Sequence, residues 1–169
     1  MKRLSLLELE EQASKQGLLL RLQVRKPLGL WTLRLVVATQ SEEYKIKILG
    51  EMKAWAYNSE KGLQLDTMQV REGAPACIGH LIWASSMAWA LESTPCKKAR
   101  LLAIYDDDYQ HRVLIRYFTK RGFISIKQVG SSLVDLPLRL VWGGAGNLML
   151  ADCNELYKKS IALWHSSTE

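Results

Sequence analysis

Cysteine is scarce in this chain of 169 residues, which has three: Cys77, Cys96 and Cys153. No two of them form a CxxC pair, and an odd number of thiols cannot close a complete disulfide framework. We therefore expect reduced cysteines and no metal centre. Cys77 precedes an apolar helix, where a thiol can be reactive, but no base is identifiable beside it, so we interpret it as a small buried residue.

The chain also lacks an apolar segment typical of a membrane span. Residues 73–91 carry no formally charged side chain, but glycine, proline, histidine and serine interrupt them, and a buried core helix explains the same pattern. The pattern of a secretory signal is missing too, because Glu8, Glu10 and Glu11 interrupt the first leucines. We therefore predict a cytoplasmic protein without a membrane span.

Linkers, internal repeats and low-complexity segments are lacking as well. Of the 169 residues, 48% are hydrophobic, which is enough for a substantial core. The composition therefore predicts one compact domain over residues 1–169.

Acidic residues are outnumbered, with 17 Asp and Glu against 23 Lys and Arg, for a net charge of +6. This balance favours anionic partners such as a phosphate-bearing ligand, nucleic acid or an acidic protein. Arg112, Arg116 and Lys120 recur at four-residue spacing on one predicted helix, which is typical of a solvated helix face and less often of a binding stripe. Exposed aromatic residues between these charges, which a single-stranded nucleic acid would stack on, are not evident.

The first 70 residues predict one helix followed by strands. Ser5 and Glu8 have the spacing of a capping box, so a short amphipathic helix precedes Gly17. We predict five strands, forming two hairpins and one further antiparallel strand, over residues 18–24, 31–38, 44–48, 52–57 and 63–70. The second hairpin would turn at Gly50 and Glu51.

The rest of the chain predicts alternating helices and strands. The predicted helices cover residues 78–92, 108–121 and 152–164, and the predicted strands cover residues 99–104, 124–129, 138–142 and 147–151. The glycine-rich residues 143–146 are interpreted as a turn between the last two strands. A nucleotide-binding loop would instead be followed by a helix.

Residues 63–123 have the order strand, glycine-containing loop, apolar helix, strand, basic helix and then Gly122-Phe123. This order resembles the core of the GNAT N-acetyltransferase superfamily, over residues 44–151. The resemblance implies an α/β (α+β) fold with a central, mostly antiparallel mixed sheet flanked by helices, to which residues 152–164 add a C-terminal helix. It also implies acetyl-CoA or CoA as the cofactor.

In that family a strand edge receives the pantetheine and the following loop and helix N-terminus hold the pyrophosphate, where unpaired N–H groups attract anions. The resemblance places these roles on Met68, Val70, Arg71, Cys77, Ile78, Gly79 and His80. The loop motif is eroded, because Ala74 stands at the family's Gln or Arg and Cys77 at its middle glycine. A register that begins at Arg71 places Pro75 at the second glycine instead.

The ending of the basic helix, residues 118–123, resembles the family's Tyr-x-x-x-Gly-Phe, whose tyrosine often protonates the leaving thiolate. This chain has Phe118 there, which has no hydroxyl to donate. Tyr117 is therefore the candidate acid. Glu51 and Asp66, carboxylates near predicted strand centres, are the candidate bases.

Three functions remain open. The first is an acetyl-CoA-binding N-acetyltransferase-like protein that transfers an acyl group to an unknown amine. The second is a catalytically inactive GNAT-like protein-binding or regulatory subunit, which is favoured by Phe118, by the eroded loop and by an N-terminal half with one helix where the family usually has two to wall the acceptor. The third is a nucleic-acid-binding domain, supported by charge alone, whose affinity would fall steeply with salt.

Overall fold

The computed structural model describes residues 2–104, 108–130 and 145–168. The strands are β1 (Leu18–Arg25), β2 (Trp31–Gln40), β3 (Ile46–Ala56), β4 (Leu63–Val70), β5 (Lys98–Ile104), β6 (Ile124–Val129) and β7 (Gly146–Asp152). The helices are α1 (Leu6–Lys15), α2 (Ala76–Ser93), α3 (Asp108–Arg121) and α4 (Cys153–Ser166), with a short 3-10 turn at Pro27–Gly29.

The seven strands form one mixed sheet in the order β1-β2-β3-β4-β5-β7-β6. β1 to β4 are successively antiparallel, β4 and β5 are parallel, and β7 lies antiparallel between β5 and β6. The predicted fold class is therefore confirmed, as are the hairpin of β1 with β2 and the antiparallel run that ends at β4.

The predicted second hairpin is wrong, because residues 46–56 form the single strand β3. Gly50, expected to turn the chain, lies within the strand, opposite Val37 of β2. A Cβ at Gly50 would lie 2.7 Å from Cδ1 of Ile82 on α2 and 3.0 Å from the backbone oxygen of Gln69. Glycine is required at this position by the close approach of a helix, and no turn is involved.

A β-bulge beside Gly50 also explains why a break was predicted there. Ala38 pairs with Ile48 and Val37 pairs with Gly50, so Leu49 is an extra residue in β3. Such a bulge bends the strand and disturbs the alternation of buried and exposed side chains. The alternation therefore fails in the sequence although the strand continues.

α2 forms the centre of the core, as its apolar sequence predicted. The helix contacts β2, β3 and β4 of the sheet and also α1 and α4. A helix covered on two sides needs no polar face, and twelve of its residues, from Ile78 to Ala90, are buried. Among the described residues, no helix is long and apolar enough to cross a membrane.

α4 contacts the N-terminal residues of the chain through two hydrogen bonds. The N–H of Leu4 donates to the hydroxyl of Tyr157 on α4 at 2.9 Å, and a ring nitrogen of His165 lies 3.0 Å from the amide oxygen of Gln12 on α1. Burial raises the pKa of the Cys153 thiol at the start of α4 to about 12, so this cysteine is an inert core residue. The predicted C-terminal helix is confirmed.

The predicted C-terminal sheet falls only partly within the residues that the structure describes. The predicted strand at residues 138–142 and the first half of the glycine turn at residues 143–146 lie outside the described residues. The strand predicted at residues 147–151 is present as β7.

Gly50→Ala is predicted to destabilise the fold by about 1–3 kcal/mol, because the added methyl group overlaps Ile82 and the Gln69 carbonyl. Urea unfolding of the purified variant measures this loss. Lys47→Ala, at an exposed position of the same strand, is the control and should change the free energy of unfolding by less than about 0.5 kcal/mol. Equal stability of Gly50→Ala and the native protein would contradict the packing described here.

Candidate functional site

The sheet opens between β4 and β5. These parallel strands pair at only two positions, Leu63 with Ala99 and Gln64 with Arg100. Beyond Gln64, β4 keeps β3 on one edge, while no described strand pairs with its edge towards β5. Backbone N–H and C=O groups on that edge are therefore available to an extended ligand. We call this opening the wedge.

The wedge holds a cavity of about 60 Å³. Its lining comes from three strands and two helices: Met52, Leu65, Asp66, Thr67, Met68, Trp83, Leu101, Leu102 and Phe118. The pairing of β3 with β4 slips at this point, so that Asp66 is an extra residue of β4 between Leu65 and Thr67. This bulge directs the backbone of β4 at the mouth of the wedge away from regular pairing.

The N-terminus of α2 lies at the end of β4. Its N-cap is Pro75, which makes no side-chain cap hydrogen bond, and its first turn has no acidic residue. The preceding loop turns tightly, with the N–H of Ala74 donating to the Arg71 carbonyl at 3.0 Å and Gly73 at a φ of 78°. Of the first-turn N–H groups, that of Ile78 donates to the Pro75 carbonyl at 3.1 Å, and those of Ala76 and Cys77 are left to solvent or to an anionic ligand.

Gly79 of α2 faces two side chains of β4. A Cβ at Gly79 would lie 3.7 Å from Cε of Met68 and 3.9 Å from Cγ2 of Val70. The residues assigned to the cofactor by resemblance, Met68, Val70, Arg71, Cys77, Ile78, Gly79 and His80, are therefore in one region. Ile78 and Gly79 are buried and Cys77 packs against the core, so the helix offers a ligand its backbone more than these side chains.

His80 contacts a buried arginine of α3. Nη2 of Arg121 lies 2.9 Å from Nδ1 of His80, and since arginine can only donate, Nδ1 accepts and carries no proton. Desolvation by burial, with the charge of Arg121 as the second cause, lowers the pKa of His80. His80 is thus a neutral acceptor that holds the guanidinium beside the first turns of α2.

Arg121 is the charged residue that sequence reasoning missed. Only 7% of it is exposed, and its Cζ lies 5.2 Å from the ring centroid of Tyr117 and 5.7 Å from that of Trp83. No carboxylate of a described residue pairs with it. The spacing of the sequence does indicate its position, because Arg121 follows Tyr117 by four residues and so shares its helix face. The basic stripe considered in the sequence analysis, Arg112, Arg116 and Lys120, is exposed instead.

The neighbouring side chains of Tyr117 and Phe118 have different surroundings. Phe118 lines the wedge and packs edge-on against Trp83. Tyr117 is 37% exposed, and its hydroxyl accepts a hydrogen bond from Nε1 of Trp83 at 3.0 Å. Because the indole can only donate, the O–H of Tyr117 is still able to donate to another group.

The two candidate bases differ in environment. Glu51 accepts from Arg34, with Oε2 at 3.2 Å from Nη2 and 3.3 Å from Nε. Asp66 is exposed and lines the wedge, and its carboxylate accepts from the hydroxyl of Thr67 at 3.3 Å. Asp66 is therefore the carboxylate with access to the opening, whereas Glu51 is engaged in an ion pair.

Two further cavities lie beside the wedge. The larger, of about 590 Å³, is lined by Arg34, Ile48, Leu49, Gly50, Glu51, Met68, Gln69, Val70 and Arg71. The smaller, of about 370 Å³, is lined by Gln23, Arg25, Thr32, Leu33, Arg34, Lys53, Ala54, Trp55 and Asp66. We call them the upper and the lower cavity. Within the described part of the chain, no cluster of three or more His, Cys, Asp or Glu is placed to hold a metal ion.

Solved structures with this arrangement are GNAT acetyltransferases. FdhC, a nucleotide-linked sugar GNAT, matches with a TM-score of 0.53 and 6% identity over 78% of this chain and 63% of that chain. Nourseothricin acetyltransferase matches with a TM-score of 0.51 and 11% identity over 81% of this chain and 88% of that chain. A spermidine N-acetyltransferase SpeG chimera from Vibrio cholerae and hSSAT matches with a TM-score of 0.50 and 10% identity, covering 88% and 77%.

The chain therefore has the GNAT fold, and the predicted resemblance is confirmed at the level of the fold. This chain spans less than two thirds of the FdhC chain. No protein-family model matches the sequence, and no significant match was found among curated proteins.

His80 is predicted to titrate below the ordinary value of 6.5, and Arg121→Met should raise its pKa by removing the neighbouring charge. NMR titration of the imidazole measures both values. Because the folded-state pKa is the lower one, the unfolded chain binds the proton more readily. The stability that His80 contributes is thus fully present above about pH 6.5 and is lost as the pH falls towards the folded-state pKa.

A wild-type His80 that titrates at or above 6.5 would contradict the neutral, arginine-bonded state. The imidazole signals of His165, whose ring contacts Gln12 of α1, are the internal control and should be the same in the native protein and in Arg121→Met.

Proposed function

We propose that this protein binds an acyl-CoA and transfers its acyl group to an amine. The observation that carries the proposal is the meeting of two features at one place: the free edge of β4 in the wedge and the uncapped N-terminus of α2. CoA contains an extended arm with amide groups and a diphosphate. The free edge of β4 fits the amide-containing arm, and the N-terminus of α2 fits the diphosphate.

The free edge of β4 would hydrogen-bond the amides of the pantetheine arm as an added strand does. The first turn of α2 would receive the diphosphate, where the helix dipole and unpaired N–H groups favour negative charge. Arg121, bonded to His80 in the second turn of α2, adds a positive charge near the start of the helix. Gly79, at the last small position of the loop motif, lies against Met68 and Val70 of β4.

The acyl transfer would proceed by direct attack. The amine nitrogen bonds to the thioester carbonyl carbon while Asp66 accepts a proton from the amine. The carbon–sulfur bond then breaks, and the O–H of Tyr117 donates its proton to the departing thiolate. The hydrogen bond from Trp83 fixes the phenol oxygen during this step, and solvent returns the proton to it.

A second candidate is a scaffold that retains CoA and has lost turnover. Phe118 in the wedge and the ion pair that occupies Glu51 favour it. The two candidates make the same prediction for ligand binding and differ in turnover. Nucleic-acid binding is a third function, supported by the exposed Arg112, Arg116 and Lys120 of α3, and a cytoplasmic location remains a prediction.

Ala76→Glu is predicted to weaken acetyl-CoA binding about tenfold or more, because a carboxylate at the exposed first position of α2 repels the diphosphate. The same substitution suits a helix N-terminus, so folding should be preserved. Calorimetric titration measures the affinity, with the neutral Ala76→Gln as matched control. No binding to the folded native protein would refute the proposed function, and steep loss of oligonucleotide binding with salt would support the nucleic-acid alternative.

Tyr117→Phe is predicted to lower kcat about 10²-fold with little change in acetyl-CoA affinity, since it removes a proton donor and keeps the ring. Asp66→Asn should lower kcat/KM similarly, and Glu51→Gln should have a smaller effect. Release of free CoA thiol measures the rate. Tyr44→Phe, at an exposed tyrosine distant in sequence, is the control, and native rates in Tyr117→Phe would remove Tyr117 from the mechanism.

A further inference from the structure

The upper and lower cavities each share a lining residue with the wedge. Both are lined by Arg34, so they adjoin at this side chain. The upper cavity shares Met68 with the wedge, and the lower cavity shares Asp66 with it. A molecule lying in these cavities therefore reaches β4 at the bulge, beside the candidate base.

The charged residues of the two cavities are mostly basic. Four are cations, Arg25, Arg34, Lys53 and Arg71, and two are carboxylates, Glu51 and Asp66. Arg34 forms an ion pair with Glu51 at 3.2 Å, which offsets part of its charge. Arg25, Lys53 and Arg71 are exposed and form no ion pair with a described residue. Three uncompensated cations thus surround the approach to Asp66.

Two of the four cations are also neighbours on adjacent strands. Arg34 of β2 and Lys53 of β3 are directly paired across the strands, so their side chains emerge on the same face. Like charges in this position destabilise a sheet. The side chain of Arg34 is half exposed, and Glu51 offsets part of its charge, whereas no described carboxylate forms an ion pair with Lys53. An anion bound between them would remove this repulsion.

We propose that the acceptor is an amine carried by a phosphate-bearing small molecule, with the phosphate held by Lys53, Arg25 and Arg34 and the amine directed to Asp66. This inference rests on the proposed acyl transfer. Arginine forks and a lysine ammonium match the several oxygens and double charge of a phosphate better than a single carboxylate. Polycationic amines are disfavoured at the same face by charge repulsion.

The test separates the acceptor site from the CoA site. Ala76→Glu protein, in which the N-terminus of α2 is blocked to anions, is titrated with inorganic pyrophosphate and followed by amide NMR. We expect saturable shifts of the amides of Arg25, Arg34 and Lys53. Lys53→Gln in the same background should weaken this binding about tenfold, whereas Lys15→Gln, an exposed cation of α1, should not.

Spermidine supplies the opposite charge as a matched titrant and should leave these amides unshifted. The inference is overturned if pyrophosphate does not shift them, if spermidine does, or if an oligonucleotide binds this face about a hundredfold more tightly than pyrophosphate. Calorimetry of the native protein with acetyl-CoA reports on the proposed function independently. If the native protein does not bind acetyl-CoA but pyrophosphate binding is retained, the proposed acyl transfer is refuted and only an anion-binding face remains.

Discussion

The sheet separates between β4 and β5 after two paired positions, and the placement of the candidate residues depends on that separation. Strands that stayed paired would use up the hydrogen-bonding edge of β4. The wedge instead exposes backbone hydrogen-bonding groups, which are costly to leave without partners when buried. A ligand with amide groups would satisfy them, so the parting of two strands is the constraint that creates the site.

α2 is both the central helix of the core and a part of the candidate site. Its buried length fixes the helix against the sheet, and the lack of a side chain at Gly50 lets the helix approach β3 closely. The same packing places its N-terminus at the end of β4 and its Trp83 against Tyr117, Phe118 and Phe123. Arg121, bonded to His80, then links the start of α2 to the end of α3. The core thus determines where charge and hydroxyl groups lie.

The sequence predicted the elements whose pattern is local. The capping box at Ser5 and Glu8 is present, and the apolar run of α2 is buried. The errors arose where distant contacts decide: Gly50 looked like a turn because its need for space comes from Ile82, thirty-two positions along the chain. For the site, element order placed the helix N-terminus beside β4. Periodicity alone could not show that Arg121 is buried, that Glu51 is paired with Arg34, or that Asp66 lies in a bulge.

Backbone hydrogen exchange with and without CoA tests most directly whether the wedge and the N-terminus of α2 form one ligand site. The account predicts that the amides of residues 65–70 and 76–77 become protected together at the same CoA concentration, because one molecule contacts both. Protection confined to residues 109–121 would instead place the ligand on the basic face of α3. Protection of only one of the two predicted segments, or of neither, would contradict the central claim.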